Sequence, residues 1–356
     1  MRLFTTAMDL TNFRTLGRSG LIVSPLALGT MTFGTARWGS ADDESAAIFR
    51  AYVEAGGNFL DTADVYAGGR SEELLGRYVA EGGLREQLVL ATKFAFNAQR
   101  GNPNAGGNGR KNIYRALEGS LRRLGTDYVD LYWLHAWDAV TPAEEVLQTF
   151  GDLVRAGKIR YYGLSNVPAW YAAQLSTLAA AHAVPGPVAL QLEYSLVERS
   201  SEREHLPAAR ALGLGVTPWS PLAGGFLAGK YQRQDPRATA DGRLSGANPF
   251  QDSKFTAHNW QVLEVLRAVA AELDRPPAQV ALAWTLAQPG ISAPILGASR
   301  PAQLHDNLAA LTLALSPEQL RRLGEVSAPA PTYPYPIFAP DINRHIFGGA
   351  TVQGWQ

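Results

Sequence analysis

The 356-residue sequence predicts an α/β fold, a single (β/α)8 TIM barrel over residues 1–356 with long loops on its C-terminal face and a C-terminal tail. Three observations carry this expectation. Short β-type runs alternate with helical stretches along most of the chain, the pattern of βα units. There are eight such runs, ending near Gly29, Asp61, Lys93, His135, Ser165, Gln191, Trp219 and Gly297. Six of the seven intervals between those ends span 26–42 residues, enough for one strand, one loop and one helix. Alternation also suits a doubly wound open sheet. No G-x-G-x-x-G follows the first strand, which removes the commonest dinucleotide-binding form of that rival. Eight strand ends favour closure into a barrel.

The helices between the strands carry their own signals. "SADDESAAIFRAYVEAGG" opens on Ser40 and acidic residues and stops at Gly56 and Gly57, as a capped helix does. "KNIYRALEGSLRRLG" puts Ile113, Leu117, Leu121 and Leu124 on one face and ends at Gly125. "TPAEEVLQTFGDLVRAGK" offers Thr141 as N-cap, Pro142 as the first helical residue and Glu144 three residues after the cap. "SPEQLRRLGEV" repeats that grammar at 316–326. The last interval, 78 residues, needs a long loop over about 221–257, rich in Gly, Pro and Arg, before "NWQVLEVLRAVAAEL". Loops of that length inside compact domains are usually functional, so a lid is expected there. Residues 97–109 ("NAQRGNPNAGGNG") and the tail from 328 onward are further candidates.

Composition narrows the function classes. Lys+Arg 32 balances Asp+Glu 32, so no global charge draws the chain to nucleic acid or an anionic membrane. The absence of cysteine rules out disulfides, thiolate metal sites and a cysteine nucleophile. Residues 161–192 contain no Asp, Glu, Lys or Arg, but Pro168, Pro185, Gly186 and Pro187 interrupt them. No continuous apolar run of about 18 residues survives. The opening "MRLFTTAMDLTNF" lacks the apolar core of a signal peptide. A cytoplasmic protein acting on a small molecule is expected, and the sequence leaves its oligomeric state open.

In a barrel, the C-terminal strand ends converge on one mouth. Read in order, they present Asp61, Tyr66, Lys93 and His135. Any one of these alone is commonly a turn, cap or rim residue. Together they suit one chemistry. A tyrosine of reference pKa about 10 exchanges its proton poorly at neutral pH, and a neighbouring ammonium draws that value down. A carboxylate such as Asp61 would hold the ammonium in place. A histidine can hydrogen-bond a substrate oxygen or relay a proton. No metal-ligand cluster and no G-x-S-x-G nucleophile is apparent.

Seven ordered segments carry a resemblance over essentially the whole chain: "GGNFLDTADVYAGGRSEELLG", "VLATKF", "DLYWLHAWD", "LVRAGKIRYYGLSN", "LQLEYSLVER", "PWSPLAGGFLAGKY" and "GASRPAQLHDN". The sequence resembles the aldo-keto reductases. That resemblance implies Tyr66 as general acid, Lys93 lowering its pKa, Asp61 pairing with Lys93, and His135 orienting a carbonyl. It also implies a nicotinamide cofactor, NADPH rather than NADH. Ser165, Asn166 and Gln191 would hold the carboxamide, with Trp219 stacked on the ring, although Trp219 read alone suits core packing equally. Gly29, Thr30, Met31 and Asp61 would lie along the cofactor, as would Ser220, Pro221, Leu222, Gly224 and Lys230. Gly297, Ser299 and Arg300 would sit at the ribose 2′-phosphate, and Gln303 and Asn307 near the adenine. Phe33, Trp38 and Trp137, with tail aromatics Tyr333, Tyr335 and Phe338, could wall an apolar substrate pocket or cover the barrel rim.

The resemblance extends to a branch of potassium-channel β subunits, nicotinamide-binding partners with secondary redox activity. Those relatives depart from the histidine found here at His135. A third reading, a barrel aldolase with Lys93 as Schiff base, would need Lys93 desolvated and unpaired.

Overall fold

In the computed structural model, which describes residues 8–36, 38–235, 243–245, 254–350 and 352, eight parallel strands form the predicted barrel. A two-stranded hairpin precedes it, β1 (Arg14–Thr15) and β2 (Ile22–Val23). The staves are β3 (Ala27–Gly29), β4 (Phe59–Asp61), β5 (Val89–Phe94), β6 (Val129–Leu134), β7 (Ile159–Ser165), β8 (Ala189–Gln191), β9 (Gly215–Val216) and β10 (Ile295–Gly297). Hydrogen bonding runs in the order β10-β3-β4-β5-β6-β7-β8-β9. The remaining seam closes where Val216 bridges Ile291 and the Ile295 N–H donates to the Pro218 carbonyl at 2.8 Å.

Alternation along the staves builds two cores, because successive strand side chains point to opposite faces. Inward-facing Phe59, Ala91, Leu131, Trp133 and Ala189 fill the barrel, and Leu16, Leu21 and Val23 of the hairpin segment close its base. Outward-facing Leu60, Leu90, Tyr132, Leu134, Leu164 and Leu190 pack beneath the helices. The stacked rings of Phe150 and Tyr162, 4.2 Å apart, belong to this outer layer.

Six helices follow β3 to β8 in turn: α1 (Asp42–Glu54), α2 (Arg70–Gly82), α3 (Arg110–Leu124), α4 (Ala143–Arg155), α5 (Ala169–Ala181) and α6 (His205–Leu212). The uncharged stretch 161–192 is a strand, a helix and a strand. No helix among the described residues is long and apolar enough to cross a membrane.

The long last interval holds two helices, α7 (Ala257–Glu272) and α8 (Pro277–Leu286). The second has no counterpart in the sequence reading. Its residues Gln279–Leu286 are buried on every side, and a helix buried all round has no amphipathic period to detect. After β10 come α9 (Pro301–Leu308), α10 (Pro317–Val326) and α11 (Pro340–Ile346). Of the expected lid, 236–242 and 246–253 lie outside the described residues, as do 351 and 353–356 of the tail. The tail runs past α6, where Arg203 donates to the Ala330 carbonyl at 2.7 Å and Tyr335 to the Glu204 carboxylate. Residues 97–109 fold on themselves around a short 3-10 turn, with Asn97 donating to the Asn102 carbonyl at 2.7 Å.

Boundaries differ in four places. Ala41, not Ser40, occupies the α1 N-cap, because the Ser40 hydroxyl pairs with Ser45 at 2.8 Å. Pro142 is the N-cap of α4, displacing Thr141, whose N–H and hydroxyl are both held by Asp138. Strands β5 and β6 end at Phe94 and Leu134, one residue from the expected ends. Strand β9 stops at Val216, and Trp219 continues as an isolated bridge to Glu193. The Ser316–Gln319 capping box of α10 forms as its sequence grammar implies.

Gly163 of β7 lies beside Trp133 of β6. A Cβ there would sit 2.2 Å from the Trp133 ring and 3.0 Å from the Ala189 carbonyl oxygen. Gly163→Ala should therefore lower unfolding free energy by about 1–3 kcal/mol, the scale of an overpacked core. Denaturant titration of both proteins measures the loss.

Candidate active site

The mouth continues the inward-facing rows of the barrel core. Phe59 is followed on its face by Asp61, Ala91 by Lys93, Trp133 by His135, and Ala189 by Gln191. Period-two geometry thus carries four polar side chains to the same end of the barrel interior. Pairing of β4 with β5 in parallel register, Asp61 opposite Ala91, sets Lys93 just above the carboxylate.

Lys93 is completely buried. Its ammonium donates to Asp61 Oδ1, to the Thr62 carbonyl at 2.7 Å and to Tyr66 Oη at 3.3 Å. An ammonium has three donors, and each finds an acceptor. Burial alone would favour the neutral amine, but the Asp61 charge, reinforced by Tyr66, outweighs it and holds Lys93 above the usual lysine value. Asp61 Oδ2 in turn accepts from Gln191 Nε2 at 2.9 Å.

Tyr66 opens a short 3-10 turn in which Ala67, Gly68 and Gly69 all have positive φ. This reversal turns the chain into α2 and leaves the half-buried phenol beside Lys93. Burial pushes the hydroxyl up, the Lys93 ammonium draws it down, and the net direction is upward. The expected depression below the ordinary tyrosine value is therefore absent from the free site, because loss of solvation exceeds the pull of the ammonium. Tyr66 is a protonated phenol there.

His135 stands with its ring edge-on to Tyr66, centroids 6.0 Å apart, and to Phe96 at 4.8 Å. Burial, then the Lys93 charge, holds its pKa well below the usual histidine value. The ring is neutral, and its buried Nδ1 has no hydrogen-bond partner among the described residues.

One wall of the mouth is tied together by Asn166, whose φ of 50° places it in the left-handed region at the tip of β7. Its Nδ2 donates to the His135 carbonyl at 2.9 Å and to Ser165 Oγ at 3.0 Å, while its Oδ1 accepts from Trp219 Nε1 at 3.1 Å. Beyond Trp219, Ser220 at φ 55° accepts from the Gly224 N–H at 3.2 Å, turning a loop that includes Pro221 and Leu222. A Cβ on Gly224 would come within 3.0 Å of Leu244, and Lys230 is exposed nearby.

Across the mouth, Thr32 of the loop after β3 donates to the Ala298 carbonyl at 2.8 Å, joining the first and last strand tips. Gly29 approaches β10 so closely that a Cβ would lie 2.6 Å from Ile295. Gly297 opens to solvent, followed by Ser299, half-buried, and Arg300, exposed.

Several expected contact residues are already engaged within the chain. The Thr30 hydroxyl pairs with Ser71 at 2.8 Å inside the protein. Gln303 Oε1 accepts from both the Ser299 N–H and its hydroxyl, at 2.9 and 3.0 Å. Asn307 is buried on α9. Phe33 is a core ring, fully buried and edge-on to Tyr78 at 6.3 Å, rather than an exposed wall. Trp38 is half-buried beneath the Arg243 guanidinium, 5.3 Å from its ring, and Arg243 also reaches Met31 Sδ. Trp137 meets Trp170 edge-on at 5.6 Å.

Three mouth residues were missed by the sequence reading: Phe96, Trp170 and Arg243. Phe96 was detectable as an aromatic residue just beyond the end of β5, the strand whose Lys93 faces the mouth. Arg243 sits in a Gly- and Arg-rich loop that offers no period to single it out.

Behind the site, Asp64 N–H donates to the Lys93 carbonyl at 3.1 Å. Its carboxyl group is buried, with Oδ1 unpartnered among the described residues. Burial, and then repulsion from Glu72, raises Asp64 from 3.8 to about 7. Glu72 is itself fully buried, accepting from Thr92 at 2.5 Å and Arg123 at 2.7 Å. Because the folded state holds the Asp64 proton more tightly than the unfolded chain, stability is greatest below pH 3.8 for this group and falls as pH rises to about 7. Asp64→Asn should flatten that part of the stability profile, measurable by denaturant unfolding at successive pH values.

Residues 25–328 match the profile of the aldo/keto reductase family. The chain is 40% identical over 324 residues to an uncharacterized oxidoreductase, YrpG, of Bacillus subtilis, covering 87% of this chain and 94% of that protein. It is 36% identical over 320 residues to a probable voltage-gated potassium channel subunit beta of Oryza sativa subsp. japonica, covering 88% and 96%. A norsolorinic acid reductase of Emericella nidulans is 36% identical over 313 residues, covering 85% and 78%.

Proposed function

The chain belongs to the aldo/keto reductase family, and we propose that it is an NADPH-dependent oxidoreductase that converts aldehyde or ketone carbonyls to alcohols. The observation that carries this reading is the Lys93 ammonium, buried and shared between the Asp61 carboxylate and the Tyr66 hydroxyl. The cofactor reading rests on the open surface at Gly297 and Arg300, the Gly224 turn, and the unpartnered Nδ1 of His135. When bound, a reduced nicotinamide dinucleotide supplies the hydride, which no side chain of this protein can provide.

The chain's own groups then do the following. Tyr66 donates its proton to the carbonyl oxygen as that oxygen gains negative charge, and the alkoxide becomes an alcohol. Lys93 stabilises the phenolate left behind, offsetting the burial that otherwise disfavours it. Asp61 and Gln191 keep the ammonium aimed at Tyr66. Neutral His135 orients the carbonyl without competing as a strong acid. Ser165 and Asn166 would hold the nicotinamide amide, with Trp219 as the residue that would pack on its ring. Arg300 would hold the 2′-phosphate, a group that guanidinium recognises well. Phe96, Trp38 and Trp137 give the substrate an aromatic boundary, which suits bulky or aromatic carbonyl compounds.

A second reading has a specific observation behind it, the similarity to the rice protein named as a channel β subunit. In that reading nucleotide binding would serve a partner protein. Lys93 as a Schiff-base nucleophile finds no support, since its three donors are all engaged.

Tyr66→Phe should abolish aldehyde-dependent NADPH oxidation while leaving NADPH affinity, followed by tryptophan fluorescence quenching, nearly unchanged. Retained turnover in that variant would remove Tyr66 from the role of acid. Arg300→Ala should weaken NADPH binding by roughly 1.5–3 kcal/mol, the scale of a hydrogen bond to a charged group, and leave NADH binding nearly unaffected. Equal losses for both nucleotides would place Arg300 away from the 2′-phosphate.

A further inference from the structure

The base of the barrel, opposite the mouth, holds a cavity of about 310 Å3. It lies at the meeting of three segments: the β1–β2 hairpin, the turn from α6 into β9, and the turn from α8 towards β10. Arg14, Arg18 and Arg210 line it, and no Asp or Glu is among its lining residues. Arg14 is engaged within the chain, its guanidinium reaching Met8 Sδ at 3.7 Å. Neither the Arg18 nor the Arg210 guanidinium has a hydrogen bond or ion pair among the described residues.

The wall between the arginines is narrow backbone. Gly17 and Gly213 have φ of 61° and 73°, and a Cβ on Gly17 would lie 2.5 Å from the Gly215 nitrogen. The Arg18 stem lies across Gly213, where a Cβ would meet its Cδ at 2.5 Å. Ser292, mostly buried, adds a hydroxyl that makes no hydrogen bond among the described residues.

We propose that this cavity is a binding site for a small, soluble phosphate ester or pyrophosphate. Planar guanidinium forks match phosphate oxygens in pairs. A phosphate monoester brings about two negative charges at neutral pH with three strong acceptor oxygens, and a pyrophosphate group brings more. Such a ligand would give the Arg18 and Arg210 guanidinium groups the partners they lack among the described residues. Arg14 is half-buried in the same lining. The volume is at the small end of ligand pockets and too small for a whole dinucleotide. The site shares no residue with the mouth. Since it joins the hairpin to two strand-entry turns, its occupant should also raise the melting temperature by linkage.

Isothermal titration of the full chain with inorganic pyrophosphate, at fixed ionic strength, tests the proposal. Wild type should bind saturably, and Arg18→Gln/Arg210→Gln should bind about tenfold more weakly or less, as expected when charge-assisted contacts are lost. Arg210→Gln alone should fall between them. Both side chains are exposed, and equal melting temperatures without ligand would confirm folding of the variants. Arg300→Ala should bind pyrophosphate at the base like wild type, separating this site from the nucleotide site. The proposal is overturned by an absence of saturable binding in wild type, or by unchanged affinity in the double variant. It is equally overturned if Arg300→Ala loses the binding that Arg18→Gln/Arg210→Gln retains.

Discussion

One buried ammonium organises the mouth. Lys93 has no solvent contact, and an isolated charge in that position would cost several kcal/mol. It is tolerable because every proton has an acceptor: a carboxylate, a backbone carbonyl and a phenol. Each acceptor is fixed by a different piece of backbone, the tip of β4, the residue after it, and the turn into α2. The position of Tyr66 is therefore a consequence of satisfying Lys93. Gln191 completes the arrangement by occupying the other oxygen of Asp61, so that the carboxylate cannot rotate away without losing two partners.

The direction of the Tyr66 shift modifies the simple picture of an activated acid. In the free site, burial raises the phenol more than the lysine lowers it. For the proton donor proposed here this is no handicap, since the phenol stays loaded. In the proposed reaction Lys93 would act on the other side of the transfer, where a phenolate in the same buried position would otherwise be poorly solvated. Substrate and cofactor would deepen the burial, so the balance in a complex need not equal that in the free protein.

Much of this was legible in the sequence because period-two alternation is simple. Strand ends at Asp61, Lys93 and His135 could be placed to within one residue, and inward parity then dictates that they share the mouth. The hydrogen bonds of Gln191 and Thr30 were not legible, because they depend on residues 130 and 41 positions away in the chain. Phe33 misled for a related reason: an aromatic just beyond a strand tip suits both rim and core, and only the packing of Tyr78 decides. Helix α8 went unseen because complete burial erases periodicity. Caps at Ser40 and Thr141 failed because competing local partners, Ser45 and Asp138, took the hydroxyls.

Strand β9 is only two residues long, and its far edge is joined to the rest of the barrel through a bridge and a few scattered hydrogen bonds near Pro218. Of the barrel's staves it is the one with the least ladder to break. It is also the stave that leads directly to Trp219 and the Gly224 turn. Native proteins open locally where backbone pairing is thinnest. Breathing at this seam would loosen one side of the mouth while β4, β5 and β6, which hold Asp61, Lys93 and His135, stay paired. The groups proposed to react therefore stand on the more fully paired side of the barrel, and Trp219 and the Gly224 turn stand beside its thinnest seam.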